Sequence, residues 1–415
     1  MKLSPVQSRK LVIFSWAMYD FANTIFSMNV ITLYFALWVV VDMHGEDIYY
    51  SFALSGSMLL SALTAPIFGT VSDRIGRKMP FLIAFTALSC VFTALISFST
   101  NIVMGLIAFS VANFGYQLGN VFYNALLTNV SQYKKVGQVS GIGVGLGYFG
   151  TIAGLILVGP FALHYGRQAA FIPTAILFFL FSLPCFIFVK DEKRLLQSKI
   201  IGKQGNAIVA AFAKIKETFV NVKKYSEILR FLIAAFIFLN AVDAVFIFMS
   251  VYAKKVVGFS DSEILVLYIF SSIFAILGAF LVGIVTDKLG AKKTLTGVLC
   301  LWCITAFLVI VSWSKHNFYV IGPLIGISLG GTWTSARTLL VNLTPPHMIG
   351  EFFGFYGLIG KTAAIVGSLI WGICVLVFGF LGMLKYRIAV AALLLFLTVG
   401  LIILQKVPAK RVYHG

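Results

Sequence analysis

Four ionisable side chains fall inside long apolar runs of this 415-residue chain: Asp20, Asp243, Arg337 and Lys361. Carrying a charge into hydrocarbon costs from ~3 kcal/mol to much more, so such residues usually face a cavity or a partner and mark function. Arg presents a planar fork and Lys a point charge to a carboxylate or other anion, which makes Arg337 and Lys361 candidate substrate-binding residues. A carboxyl in the same setting can change protonation as cations come and go, so Asp20 and Asp243 are candidates to carry a coupling proton. The four formal charges cancel, and salt bridges among them are the structural alternative. At ~1.5 Å per residue, Asp20 and Lys361 lie roughly 15 Å into their runs and Asp243 roughly 21 Å, while Arg337 is nearer an end.

Polar uncharged residues gather in the same runs. Asn113, Gln117, Asn120 and Asn124 recur at i, i+4, i+7 and i+11, one face of a helix. Asp20, Asn23, Ser27 and Tyr34 lie on roughly one side of another. Single amides in membrane helices often only join helices, but four on one face fit a wet cavity better. Asn23, Asn120, Asn124 and Tyr123 are therefore further substrate-binding candidates, with Trp333 and Tyr356 close to the same faces.

The elements that must hold these residues follow from composition. The chain is 60% hydrophobic and 11% charged, with 40 Phe; a soluble domain carries about a quarter charged residues. Apolar runs near 11–41, 50–72, 79–99, 101–127, 138–163 and 168–189, then 229–257, 262–286, 293–313, 318–343, 350–378 and 381–406, give twelve spans. The fold class is all-α integral membrane. The first run is too long for a signal-peptide core, so no cleavable leader is expected.

The excess of 32 Lys and Arg over 14 Asp and Glu reads as topology rather than nucleic-acid binding. With both termini inside, twenty-four cations fall on the inner side and six on the outer, which orients the chain with cytoplasmic termini. The organisation is residues 1–189 as a six-helix bundle, 190–228 as a cytoplasmic linker and 229–415 as a second six-helix bundle. Within the linker, Ala207 to Val222 fits either an interfacial amphipathic helix or a solvated charged segment.

Two internal repeats set the architecture. Gly69-Thr-Val-Ser-Asp73-Arg74-Ile-Gly76-Arg77-Lys78 returns as Gly283-Ile-Val-Thr-Asp287-Lys288-Leu-Gly290-Ala291-Lys292. Leu126-Leu-Thr-Asn129-Val-Ser131 returns as Leu339-Leu-Val-Asn342-Leu-Thr344 in nearly the same register, and Gly137, Gly141, Gly147 and Gly154 then meet Gly350, Gly354, Gly360 and Gly367. Two pseudo-symmetric six-helix bundles suit a carrier, in which they rock about a central site and expose it to each face in turn.

The loop Gly69, Asp73, Arg74, Gly76, Arg77 and Lys78 resembles the signature loop of the major facilitator superfamily, with Asp287 in a degraded second copy. Within that superfamily the chain resembles the vacuole-effluxer branch, which is typified by a vacuolar amino-acid exporter. That likeness rests on Trp16-Ala-Met-Tyr-Asp20-Phe-Ala-Asn23, on Tyr123-Asn124-Ala-Leu-Leu, and on Pro345-Pro346 followed by Glu351-Phe-Phe-Gly-Phe-Tyr356 and Gly360-Lys361. The resemblance implies that the signature loop is a cytoplasmic gate and that the cargo is amino-acid-like.

Other chemistry is not in evidence in the sequence. There is no Walker loop or H-E-x-x-H, the five His are scattered, and Cys300-x-x-Cys303 sits in an apolar helix where packing is the simpler role. The glycine-rich fifth and eleventh spans read as close-packing faces. The expectation is a secondary active transporter, not an enzyme, moving a small anionic or zwitterionic solute by alternating access with proton coupling. A lipid or lysolipid carrier of the same fold is the alternative, and a sensor or membrane enzyme the remote one. No cofactor, metal or nucleic acid is expected. The partners are membrane lipids, substrate and a proton, and the chain is expected to be a monomer in a bacterial inner membrane.

Overall fold

A computed structural model describes residues 5–130, 136–190, 225–344 and 349–409. The side chains of Thr70, Asp73, Arg74 and several residues near 128–144 and 349–351 are outside that description, as are the candidate interfacial helix at 207–222 and Pro345-Pro346. Twelve long helices account for the described residues. The first, α1, runs from Pro5 to Asp42: α-helical over Pro5–Phe26, π-helical over Ser27–Tyr34, α-helical again at Phe35–Leu37 and π-helical over Trp38–Asp42. Then come α2 (Asp47–Ile75), α3 (Met79–Ile96), α4 (Ile102–Val130), α5 (Val136–Tyr165) and α6 (Phe171–Phe188). The second set is α7 (Ser226–Tyr252, with a π-helical end at Ala253–Val257), α8 (Asp261–Leu289), α9 (Ala291–Val311), α10 (Lys315–Leu343), α11 (Ile349–Val377) and α12 (Leu384–Gln405).

Eleven of these helices are long and apolar enough to cross a membrane. The twelfth, α10, carries Thr332, Thr334, Ser335, Arg337 and Thr338 along its C-terminal half. Its hydroxyls are satisfied internally: Thr332 donates to Ser328 O at 2.7 Å, Ser335 to Gly331 O at 2.6 Å and Thr338 to Thr334 O at 2.9 Å. That back-bonding lets polar residues sit in a low-dielectric helix, and Thr332 also accepts from the Trp302 indole at 2.9 Å.

The chain forms two compact units. One takes residues 5–38 and 56–190; the other takes residues 39–55 together with 225–409. In the first unit, α1 lies against α5 and α6, and α3 lies between α4 and α6. In the second, α7 packs on α11 and α12, and α8 packs along α10.

Glycine placement explains the tightest pairs. A Cβ on Gly150 of α5 would stand 2.2 Å from Phe21 O, and one on Gly154 would stand 2.8 Å from the Asn29 amide, so α1 and α5 touch backbone to backbone. Thr24 seals the contact by donating to Gly147 O at 2.7 Å. Gly326 and Gly330 do the same for α10 on α8, each with a Cβ position 2.2 Å from a carbonyl, of Ser271 and Ala275. Close packing was expected along α11 as well. Gly367 meets it, with a Cβ position 2.2 Å from Asn240 O, but at Gly354, Gly357 and Gly360 a Cβ meets nothing within 4 Å. These three leave a smooth helix face beside open space rather than a packed seam.

The repeated glycine of the signature loop ends a helix. Gly76 adopts φ +68° after α2, and the Arg77 N–H reaches back to Ser72 O at 3.2 Å, the six-to-one bond of a Schellman turn. Its repeat partner Gly290 takes φ +88° at the end of α8. Replacing Gly76 by Ala is expected to cost about 1 kcal/mol, because a Cβ is disfavoured at positive φ. Gly69→Ala, with no atom within 4 Å of the new Cβ, should be neutral or stabilising; thermal unfolding in detergent compares the two.

Candidate functional site

In the first unit, α1 and α4 bring together one polar cluster. Asn23 donates to Asn120 Oδ1 at 2.8 Å. The Tyr116 hydroxyl lies against Ser27, Asn120 and Asn23 and within electrostatic reach of Asp20. Asp20 itself is engaged with a neighbour rather than free. Tyr123 is held between aromatic rings, stacked on Trp16 at 4.5 Å and on Tyr19 at 4.9 Å. Its backbone carbonyl accepts from the Trp16 indole at 3.3 Å, and Tyr19 is fixed in turn by a 2.8 Å bond to Thr86. The ring is therefore immobile, and its buried hydroxyl has no partner among the described residues while feeling the charge of Asp20.

The amide stripe of α4 divides. Asn113 is fully buried and donates to Ser57 Oγ at 2.8 Å, so it joins helices instead of lining a cavity. Asn120 enters the cluster above, and Asn124, one further turn along, is exposed.

The second unit supplies the other intramembrane charges. Tyr356 of α11 is buried, its hydroxyl has no partner among the described residues, and it lies within electrostatic reach of both Arg337 and Asp243. Arg337 sits 5.8 Å from the Trp333 ring, one turn earlier on α10. Phe231 stacks on Tyr356 and fixes its ring. Lys361 is half-buried, seven residues beyond Gly354 on the open face of α11. Among the described residues, the membrane-embedded Asp243, Arg337 and Lys361 make no ion pair with one another. Two cations and an acid therefore stand in one unit with their charges uncompensated at contact distance, an arrangement that can receive a ligand carrying opposite charges.

The signature-loop residues are placed at helix ends. Gly69 accepts from Ser72 Oγ through its carbonyl at 2.9 Å, Arg77 is exposed, and Lys78 donates to Ala125 O at 2.9 Å near the end of α4. Lys292, the repeat partner of Lys78, likewise donates to Gln405 O at the end of α12. Lys292 thus meets the C-terminal carbonyl of a helix, where a cation is favoured. Asp287 is exposed in the last turn of α8. The side chains of Asp73 and Arg74 lie outside the described residues.

This helix order and its internal duplication, with signature glycines closing α2 and α8, have a counterpart among known proteins. The model of the Major Facilitator Superfamily matches residues 20–367, and matches again over 232–413. The chain belongs to the Major Facilitator Superfamily. It is a multi-pass membrane transporter, not an enzyme. An uncharacterized MFS-type transporter, YxiO of Bacillus subtilis, is 26% identical, covering 95% of this chain and 94% of its own. A bacterial homolog of the human lysosomal transporter Spinster superposes with TM-score 0.77 at 13% identity, over the whole of both chains. The nucleoside transporter NupG gives 0.71 at 14% identity, over 95% of this chain and 98% of its own. At such identities the likeness to solved structures is one of fold, and the cargo has to be argued from the site.

Sequence reasoning passed over Trp16, Tyr19 and Tyr116, which position the first cluster. A period of three or four between aromatics and the amides was the available signal. Arg387, one of the six cations assigned to the outer side, was read for its charge alone. In the structure this residue is only 7% exposed, lies in the first turn of α12, donates to Ile310 O and Ser312 O at the end of α9, and has its guanidinium 3.5 Å from the Trp313 ring centroid. It caps a helix.

Proposed function

We propose that this protein is a proton-coupled secondary carrier of a small, amino-acid-like zwitterion or anion. The observation that carries the proposal is the set Asp243, Arg337, Tyr356 and Lys361 in one unit, with no ion pair between its charged members among the described residues and the unpartnered buried Tyr356 hydroxyl within electrostatic reach of Asp243 and Arg337. Arg337 and Lys361 receive the carboxylate, Arg337 through its fork. Asn23, Asn120, Asn124 and Tyr123 are the polar contacts offered by the first unit. The vacuole-effluxer resemblance of the Asp20 and Tyr123 stretches supports an amino-acid-like cargo. Gly69, Asp73, Arg74, Gly76, Arg77, Lys78 and Asp287 form the gate on the side of the termini. The excess of Lys and Arg on that side supports a cytoplasmic placement of both termini, in a bacterial inner membrane.

Of the two acids, Asp243 is the better proton carrier. Asp20 is already engaged by neighbours, whereas no hydrogen bond or ion pair ends on Asp243 among the described residues. Proteoliposomes with an imposed pH gradient test this. Asp243→Asn should lose at least tenfold of gradient-driven accumulation while keeping substrate exchange at zero gradient, the split expected when coupling is lost but binding remains. Equal loss of both activities, or loss of coupling only in Asp20→Asn, would reassign the proton.

A further inference from the structure

Residues 39–55 belong by sequence to the first half of the chain, yet they fold into the second unit. The crossing point is anchored on both sides. The Trp38 ring fills the place a Cβ on Gly105 would occupy, 2.3 Å away, in the first unit. From Val39 the chain is part of the second. The passage lies in the π-helical stretch Trp38–Asp42 at the end of α1, a geometry found frequently at functional sites.

What holds this segment is a buried carboxylate. Asp47, at the start of α2, is 2% exposed; Trp371 of α11 donates its indole N–H to Oδ1 at 3.1 Å, and Tyr386 of α12 donates its hydroxyl to Oδ2 at 3.2 Å. Below it, the position of a Gly372 Cβ is 2.6 Å from Ser51 Oγ, and Ser55 Oγ meets Ser368 Oγ at 2.8 Å. Gly372 and the hydroxyls of Ser51, Ser55 and Ser368 let the helices approach closely, while Ile48 beside Gly372 and Tyr50 against Phe248 add the apolar contact that opening would expose. The carboxylate, once withdrawn from its two donors, must be resolvated, which water at this helix end can do. A cavity of about 260 Å³ already reaches the clasp, with Glu46, Lys255 and Lys385 on its lining.

We infer that Asp47, Trp371 and Tyr386 form a clasp that holds the α2 start closed on α11 and α12, at the end away from the chain termini, and that it opens once in each transport cycle. A carrier of this superfamily must open each face in turn, and a ligand or state that frees Asp47 would shift that equilibrium. The inference does not depend on which solute is carried.

The test measures opening directly. In a chain whose five natural cysteines are replaced by Ala, Ser51→Cys is treated with a charged, membrane-impermeant maleimide, and modification is timed. Asp47→Asn should raise the rate at least tenfold, and Tyr386→Phe and Trp371→Phe by smaller factors, because modification follows the open fraction. Ser328→Cys, fully buried in α10, is the control for general loosening and should stay slow. Adding the pair Ser55→Cys and Ser368→Cys and oxidising it should return the rate in Asp47→Asn to the slow value, with recovery on reduction. Unchanged labelling of Ser51→Cys in folded Asp47→Asn and Tyr386→Phe would overturn the clasp. So would an equal rise at Ser328→Cys.

Discussion

Arg337→Ala is expected to weaken binding of a carboxylate substrate about 100-fold, near 2.7 kcal/mol at 25 °C, with little change in the stability of the empty protein. The guanidinium is half-buried on α10, placed 5.8 Å from the Trp333 ring, and has no carboxylate within ion-pair distance among the described residues. A cation in a membrane helix that is not spent on structure is available to a ligand. Arg337→Lys should recover only part of the affinity, because a point charge cannot make the two parallel bonds that a fork makes to a carboxylate. Ligand-induced thermal shifts measure both variants, since a ligand that binds only the folded protein raises its unfolding temperature. Full binding by Arg337→Ala would move the carboxylate contact to Lys361 alone.

A large effect on folding is expected at Gly330. A Cβ there would stand 2.2 Å from Ala275 O and 2.9 Å from Ala279 N, both backbone atoms of α8 that cannot swing away. Gly330→Ala must therefore push α10 off α8, and overpacking of this kind costs roughly 1–3 kcal/mol or more. Gly357→Ala on α11 is the matched comparison. Its new Cβ meets nothing within 4 Å, and replacing Gly by Ala in a helix is favourable by roughly 1 kcal/mol. Thermal unfolding in detergent should show Gly330→Ala well below the parent and Gly357→Ala at or above it. Equal effects would mean that the α8–α10 contact is looser than the structure shows.

The spans were legible because an α-helix in a bilayer must bond its backbone groups within the segment and carry apolar side chains over about twenty residues, a longer apolar run than a barrel strand needs. The same constraint made Asp20, Asp243, Arg337 and Lys361 conspicuous. Gly76 and its repeat Gly290 were visible as a matched pair, and the structure gives both a helix-ending backbone with positive φ. The glycines of α5 and α11 showed the limit of pattern alone. The matched positions Gly147 and Gly360 differ: a Cβ at the first would meet Thr24 at 3.4 Å and at the second nothing within 4 Å, because what a small residue does depends on whether a neighbour is there.

Asp47 was invisible for a different reason. An acid in the first turn of a helix reads as a partner for the helix dipole, and its true donors lie 324 and 339 positions further on. The capping role of Arg387 was hidden in the same way, because the carbonyls it caps lie in another helix, 77 and 75 positions earlier. Nothing local distinguishes such residues from their neighbours.

The central claim is that this transporter carries a small carboxylate-bearing zwitterion or anion. Counterflow tests it most directly: proteoliposomes loaded with a mixture of unlabelled amino acids and small carboxylates are diluted into a trace of the same labelled compounds. The account predicts transient accumulation of one or a few labelled amino-acid-like solutes, lost in Arg337→Ala. No accumulation of any such solute by protein that instead moves labelled lysophospholipid between leaflets would contradict it.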